Sequence, residues 1–359
     1  MKTNQFNKRL ENLPVEIWTK IARIDELKGQ WIAGAKLSPQ ALGRLKRWVL
    51  ITSTGASTRI EGARLSDDDV EKLMQGISMR KFSDRDKQEV KGYYELLNNV
   101  FDSWKSIKLS ESAIKHFHKE LLKYGEKDKL HRGEYKKIEN KVEMIDIEGN
   151  RIGVLFDTTP AYLTPIEMRE LVEATQALFN EEKFHPLLIA GNFLVDFLKI
   201  HPFQDGNGRI SRILTNLLLL RAGYLYMPYV SHEKLVEDNK SNYYISLRKS
   251  QRTLKTAHPD ITPWLDFFLT IIIKQSEQAL ELLSKENIEK LLSVKQLAVW
   301  QYLKRVGEAS PREIAKNAQV ARPTVNQALN RLMRLKKVER IGLGRSTRYR
   351  KKTDTHRLS

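Results

Sequence analysis

The sequence predicts a mainly α protein: a large helical body that carries one β-hairpin, followed by a smaller unit of three helices and a second pair of strands. Three observations predict it. Apolar residues recur at three- and four-residue spacing over most of the chain, strand-like runs are confined to two short stretches, and the last fifth of the chain departs from the rest in charge. A length of 359 residues favours two or three units over a single compact body.

Helical periodicity marks Leu42 to Leu50, Val90 to Val100, Ile114 to Leu122, Met168 to Phe179 and Ile261 to Leu283. Residues 141–146 and 151–156 are two short runs around a Gly149-Asn150 turn and predict a hairpin. An isolated hairpin is marginal in water, so this one must lean on the helical body; it serves either as plain structure or as a holder for an extended peptide. Leu187 to Leu198 is apolar nearly all round, as a helix buried in a core should be, and Ile210 to Arg221 forms the next helix. The linker is expected near Ser284 to Leu292, with few Gly or Pro to prevent a continuous helix there. Beyond it the sequence gives helices from Ser293 to about Val306, from Ser310 to Asn317 and from Arg322 to Lys336, then strands at 338–341 and 347–350. Three helices and a hairpin make a winged helix-turn-helix. Ser310 with Glu313 forms a capping box, and Pro311 takes the first helical position.

Composition narrows the functional classes. No cysteine is present, which removes disulfides, thiolate nucleophiles and cysteine metal sites and fits a reducing compartment. The N-terminus lacks the apolar stretch of a signal peptide and the greasiest segments are interrupted by charges, so the expected location is the cytoplasm, without a membrane span. Of the net charge of +18, residues 291–359 carry +13, from 17 Lys and Arg against 4 Asp and Glu. Charge concentrated in this way reads as a polyanion-binding module, because cations that neutralise phosphates gain affinity through counterion release.

The chemistry concentrates between His201 and Arg212. The apolar helix delivers His201, and Asp205-Gly206-Asn207-Gly208-Arg209 then opens another helix. A glycine-containing turn before a helix N-terminus is anion-binding geometry, since backbone N–H groups approach phosphate oxygens closely and the helix end adds positive potential. Arg209, and Arg212 three residues on, share one helix face and add charged forks. Asp205 sets a hard oxygen beside that cradle, as Mg2+ on nucleotide phosphates requires. His201 is the nearby group able to take a proton from a hydroxyl near neutral pH.

His201-Pro202-Phe203-Gln204-Asp205-Gly206-Asn207-Gly208-Arg209, continued to Arg212, resembles the signature of the Fic (filamentation induced by cAMP) family at every defining position. The resemblance covers roughly residues 50–285. It implies a mostly helical fold and transfer of AMP from ATP, with Mg2+, to a Ser, Thr or Tyr of a target protein. His201 is then the base, Asp205 the Mg2+ ligand, Gly206, Asn207 and Gly208 the anion hole, and Arg209 and Arg212 the holders of the outer phosphates. The family also has a hairpin flap that docks the target segment by strand pairing, which 141–156 matches in position. Its adenine pocket uses a Tyr-Tyr pair and a following amide, which Tyr243-Tyr244 and Gln251 resemble. A kinase-like branch carries lysine where this chain has Gly208, which disfavours phosphoryl transfer, while other nucleotide donors stay open. Family members often form homodimers.

Upstream, Ser57-Thr58-Arg59-Ile60-Glu61-Gly62 places Ser57 and Glu61 on one helix face, with Gly62 suited to end the helix. Beside such a core it resembles the family's inhibitory motif, whose glutamate pairs with the second arginine, here Arg212, and keeps the ATP γ-phosphate from it. The same glutamate supports removal of AMP in some relatives, and both directions stay open. The expected division is residues 1–110 with the inhibitory motif, 111–285 as the catalytic core and 290–359 as the winged helix. In the last, Arg322, Asn326, Gln327, Asn330 and Arg331 suit the major groove of DNA and Arg345, Arg348 and Arg350 its phosphates. The competing function is a nucleotide-sensing, DNA-binding transcription regulator.

Overall fold

Helices form where apolar residues recur at helical spacing, and the chain is mainly α, with two small antiparallel sheets. The computed structural model describes residues 3–34, 39–77, 84–145, 151–290, 292–334, 337–342 and 347–352. The chain divides into two units, Met1–Leu280 and Glu281–Ser359, the division falling within one long helix.

The first unit opens with α1 (Thr3–Lys8), α2 (Val15–Gly34), α3 (Pro39–Ile60), α4 (Asp67–Met74), α5 (Asp84–Ser103) and α6 (Glu111–Leu121). Strands β1 (Lys141–Ile145) and β2 (Arg151–Asp157) follow, then α7 (Thr164–Glu181), α8 (Pro186–Ile200), α9 (Asn207–Arg221), α10 (His232–Asp238), α11 (Lys240–Gln251) and α12 (Thr262–Lys290). Strands β1 and β2 pair antiparallel, with register shifts between Val142 and Glu143 and between Met144 and Ile145 that bend the hairpin as bulges do. The Gly149-Asn150 turn lies outside the described residues.

The unit is built around two helices buried on all sides. In α8 every residue from Leu187 to Leu198 is buried, and α9 is buried from Arg209 through Leu220. The two buried polar side chains of α8, Asn192 and Asp196, are satisfied by Arg9, which bonds both just past the end of α1. A carboxylate so deep is tolerated because its cationic partner and hydrogen bonds come with it. Helix α3 enters the same core through small polar residues: Ser53, Thr54, Ser57 and Thr58 are all buried. Thr58 bonds back to the Thr54 carbonyl at 2.9 Å, Ser53 meets Ser231 at 2.8 Å and Ser57 accepts from Arg212 at 2.7 Å, while the Thr54 hydroxyl has no partner among the described residues. Arg59 ties the helix end to Glu237 at 2.6 Å and to Asp67 at 2.9 Å. Gly62 then takes φ 102° at the turn that ends the helix, a conformation open to glycine without strain.

The second unit carries α13 (Val294–Val306), β3 (Glu308–Ala309), α14 (Pro311–Asn317), α15 (Arg322–Arg334), β4 (Val338–Ile341) and β5 (Arg348–Lys351). Its sheet runs β3-β5-β4, and its core gathers Val299, Leu303, Ile314, Val325, Leu329 and Leu332. The Ser310 capping box forms: the Ser310 N–H donates to Glu313 at 2.7 Å and the Glu313 N–H donates to the Ser310 hydroxyl at 3.3 Å. One feature departs from the sequence-based expectation: the two-residue β3 is too short to show alternation. Helix α12 stays helical through Lys290, across the expected linker, as the scarcity of Gly and Pro there allows. Lys336 and Arg345 lie outside the described residues. Among the described residues no helix is long and apolar enough to cross a membrane.

Helices α5 and α6 approach so closely at Gly92 that a Cβ there would fall 2.0 Å from the Leu121 carbonyl oxygen. Backbone at a helix end cannot yield as a flexible side chain would. Gly92→Ala is therefore expected to lower unfolding stability by about 1–3 kcal/mol in urea melts, despite alanine's better helix propensity. A variant as stable as the parent would contradict this packing.

Candidate active site

Helix α8 ends at Ile200 and presents His201 in the left-handed region, at φ 52° and ψ 60°. A residue with a Cβ stays there only when its surroundings hold it. The ring Nδ1 lies 3.3 Å from the Leu198 carbonyl oxygen, which can only accept, so Nδ1 carries the proton and Nε2 keeps its lone pair. Burial pushes the imidazole down to about 4, which leaves it neutral at pH 7 and able to accept a proton.

The turn that follows is braced from within. Asn207 accepts from the Phe203 N–H at 2.8 Å and donates to the Phe203 carbonyl at 2.7 Å. His118 stacks on Phe203 at 3.9 Å between centroids. Its Nδ1 accepts from the Gly133 N–H at 2.8 Å, so Nε2 carries the proton and donates to the Asp205 carbonyl at 3.1 Å. Gly206, at φ 80°, begins α9 without a side-chain cap, which leaves the first turn of the helix to an anion.

Two arginines of α9, Arg209 and Arg212, belong to the site, and each is already engaged. Arg209 is 2% exposed, with Nη2 at 3.0 Å from both Asp205 oxygens and Nη1 at 2.7 Å from Glu89. Asp205 also receives Arg85 at 2.7 Å. Burial pushes the Asp205 carboxyl up, but the Arg209 guanidinium and the Gly206 N–H bring it below the usual range, so it is ionised. Arg212 donates from Nε to the Ser57 hydroxyl at 2.7 Å and from Nη2 to the Ser57 carbonyl at 3.0 Å and to Glu61 at 2.7 Å. Burial pushes the Glu61 carboxyl up, and Arg212 offsets it so that the net shift is downward. Arg212 Nη1 is buried without a hydrogen-bond partner among the described residues, an open donor beside Gly208. Behind Ser57 a buried chain continues: Tyr93 donates to Glu233 at 2.9 Å, and Asn216 donates to the same oxygen at 2.6 Å.

The remaining expected residues fall in two places. Tyr243 and Tyr244 meet edge to face at 5.0 Å, and Tyr243 continues into Trp264 and Phe267. Tyr244 and Gln251 are two turns apart on one face of α11. Gln251 is buried and donates to the Val195 carbonyl at 3.2 Å, while its own oxygen has no partner among the described residues. For a divalent cation the protein offers one hard ligand, the half-exposed Asp205, and no cluster of three acidic or histidine ligands occurs among the described residues. One carboxylate with substrate phosphates is how Mg2+ is usually held, so the residues fit it once Arg85 yields an oxygen. The sequence-based reading missed Arg85, Glu89, His118, Tyr93 and Glu233. All reach the site from other helices, and only Asn216, one turn beyond Arg212, had a local signal.

A neutral histidine, a glycine turn opening a helix and two arginines lie within twelve residues, inside the stretch that the family comparison matches. Residues 108–219 match the Fic/DOC family. The Fic/DOC match takes in α6 through most of α9, and so His201 to Arg212, while Ser57 and Glu61 lie outside it. The chain is 26% identical over 224 residues to a probable protein adenylyltransferase of Aquifex aeolicus, covering 60% of this chain and 62% of the relative. It is 56% identical over 41 residues to protein adenylyltransferase Fic of Aedes aegypti, covering 11% of this chain and 8% of that one. The chain thus spans less than two thirds of these relatives' length. Among solved structures, a Fic family protein of Desulfovibrio desulfuricans aligns with a TM-score of 0.61 at 23% identity, over 97% of this chain and 99% of that one. A Fic domain containing signaling protein of Bacteroides thetaiotaomicron aligns at 0.59 and 22%, over 73% and 97%. Both share the fold.

A Cβ on Gly208 would fall 2.2 Å from Glu61 Oε1. Gly208→Ala should therefore expel Glu61 from Arg212 and destabilise the chain, and the effect should shrink in a Glu61→Gly background. Denaturation of the four proteins of that cycle should show a coupling of about 0.5–3 kcal/mol, and simple additivity would argue against the contact.

Proposed function

We propose that the chain is an autoinhibited protein adenylyltransferase that moves AMP from ATP to a Ser, Thr or Tyr hydroxyl of a target protein. The observation that carries this reading is the pairing of Glu61 with Arg212 at 2.7 Å beside a neutral His201 whose Nδ1 faces the Leu198 carbonyl. The acceptor oxygen attacks the α-phosphorus, a new P–O bond forms, the bond from that phosphorus to the bridging oxygen of the β-phosphate breaks, and pyrophosphate leaves. The hydroxyl proton goes to His201 Nε2. The first turn of α9 and the open Nη1 of Arg212 receive phosphate oxygens. Asp205 would hold Mg2+, which supplies charge neutralisation to those phosphates. The Tyr243-Tyr244 pair with Gln251 is assigned to the adenine and the β1–β2 hairpin to the target segment. Glu61 inhibits by competing with the γ-phosphate for the same charge-assisted bonds of Arg212.

The second unit is assigned to DNA. Helix α15 buries Val325, Ala328, Leu329 and Leu332 and turns Arg322, Asn326, Gln327, Asn330 and Arg331 outward, which favours a groove-reading face. On the wing, Arg348 and Arg350 are each paired with Glu308 at 3.0 and 2.8 Å, so phosphates there must compete with a carboxylate. Under this reading the module recruits the enzyme; under the regulator reading it is the output and the nucleotide site only senses.

The deciding experiment incubates wild type, Glu61→Gly and Glu61→Gly/His201→Ala with α-labelled ATP and Mg2+ and follows label on protein. Label should rise in Glu61→Gly and fall by roughly 100- to 10,000-fold without His201. Nucleotide binding without label in any variant, with DNA binding intact in His201→Ala, would favour the sensing regulator. Binding of the full chain to duplex DNA should weaken log-linearly with salt, and a salt-insensitive interaction would count against phosphate contacts.

A further inference from the structure

Three backbone carbonyls around His201 are held by residues from the roots of the β1–β2 hairpin. Lys136 is 4% exposed, and its ammonium donates to the Ile200 carbonyl at 3.1 Å, to Asn140 Oδ1 at 2.8 Å and to the Thr158 hydroxyl at 2.9 Å. Asn140 immediately precedes β1 and Thr158 immediately follows β2. The Lys136 N–H donates to the Pro202 carbonyl at 2.8 Å, and Asn140 Nδ2 donates to the Phe203 carbonyl at 2.8 Å. Thr158 closes the junction by donating to the Asn140 carbonyl at 2.7 Å.

Each proton of the ammonium thus has an acceptor, and those acceptors come from both hairpin roots and the residue before His201. Burial pushes Lys136 down to about 8, so the ammonium is still the main form at pH 7. The left-handed backbone of His201 is costly by itself and requires surroundings that over-determine it, which these bonds supply. We infer that Lys136 is a positioning residue that joins the roots of the hairpin to the backbone around His201, so that a segment seated on the hairpin and the aim of the imidazole are set by one junction. The inference rests on the reading of His201 as the base and of the hairpin as the seat of the acceptor.

The test uses the full chain carrying Glu61→Gly. Lys136→Met keeps the apolar stem and removes all three donors. Its single-turnover rate of label transfer should fall by roughly 100-fold, the scale of a misplaced reacting group, while the Kd for ATP holds. Lys136→Arg, which keeps charge and donors, should recover most of the rate. Thr158→Val removes one acceptor and should act in the same direction but less, which keeps the inference testable if Lys136→Met does not fold. Transfer at the parent's rate in both Lys136→Met and Thr158→Val would overturn it. Absence of label from the Glu61→Gly parent would instead count against the transfer reading. The junction is then read from the imidazole NMR signals of His201, assigned by their loss in His201→Ala. A shift of those signals in Lys136→Met supports the junction, and unchanged signals refute it.

Discussion

A guanidinium buried at the centre of a helical body has to be paired in every state of the protein, and Arg212 is that group. Its partners in this structure come from α3: the Ser57 hydroxyl, the Ser57 carbonyl and, past the helix end, Glu61. Removing a charge of this kind from water is offset only by close, well-directed acceptors, and α3 supplies them because its core-facing residues are small enough for its backbone to come near. The buried hydroxyls of Ser53, Ser57 and Thr58 are therefore part of the same arrangement. They allow the approach and satisfy the polar groups that the approach buries.

The same logic extends along the turn between α8 and α9. A strained His201, an uncapped helix start and an ionised Asp205 would each be unfavourable in isolation. Here Asn207 braces the turn from inside, His118 holds the Asp205 backbone from α6, and Arg209 with Arg85 neutralises the carboxylate. Of the site's two arginines, Arg209 is held by Glu89 and Asp205 and Arg212 by Ser57 and Glu61, and each keeps a buried nitrogen without a hydrogen-bond partner among the described residues.

Much of this was legible in the sequence because the signals are local. The all-round apolar run of α8, the glycine turn opening α9, the hairpin strands and the Ser310 capping box each announce themselves within a few residues. Glu61 and Arg212 could be joined only through a family pattern, since 151 positions separate them. What stayed hidden was the set of groups whose meaning depends on tertiary neighbours. Glu233 looks like an ordinary charge on a short amphipathic helix, and its burial against Tyr93 and Asn216 has no periodic trace. Lys136 likewise sits in a polar stretch that reads as solvated until its three acceptors are seen. The neighbours of α3 are hidden in the same way: it lies far from α9 in the chain and beside it in space, where Ser57 meets Arg212.

Because α3 is part of the core, its departure would expose Ser57, Thr58 and the groups they satisfy, and that is close to unfolding the unit. Glu61 is different. It lies beyond the last helical residue with its side chain about one-third exposed, and rotation of that one side chain clears the guanidinium. Access to Arg212 thus requires a side-chain rearrangement rather than an order–disorder transition of α3. An occupant of the site needs to outcompete a single carboxylate, and the scaffold that presents the arginine stays in place throughout.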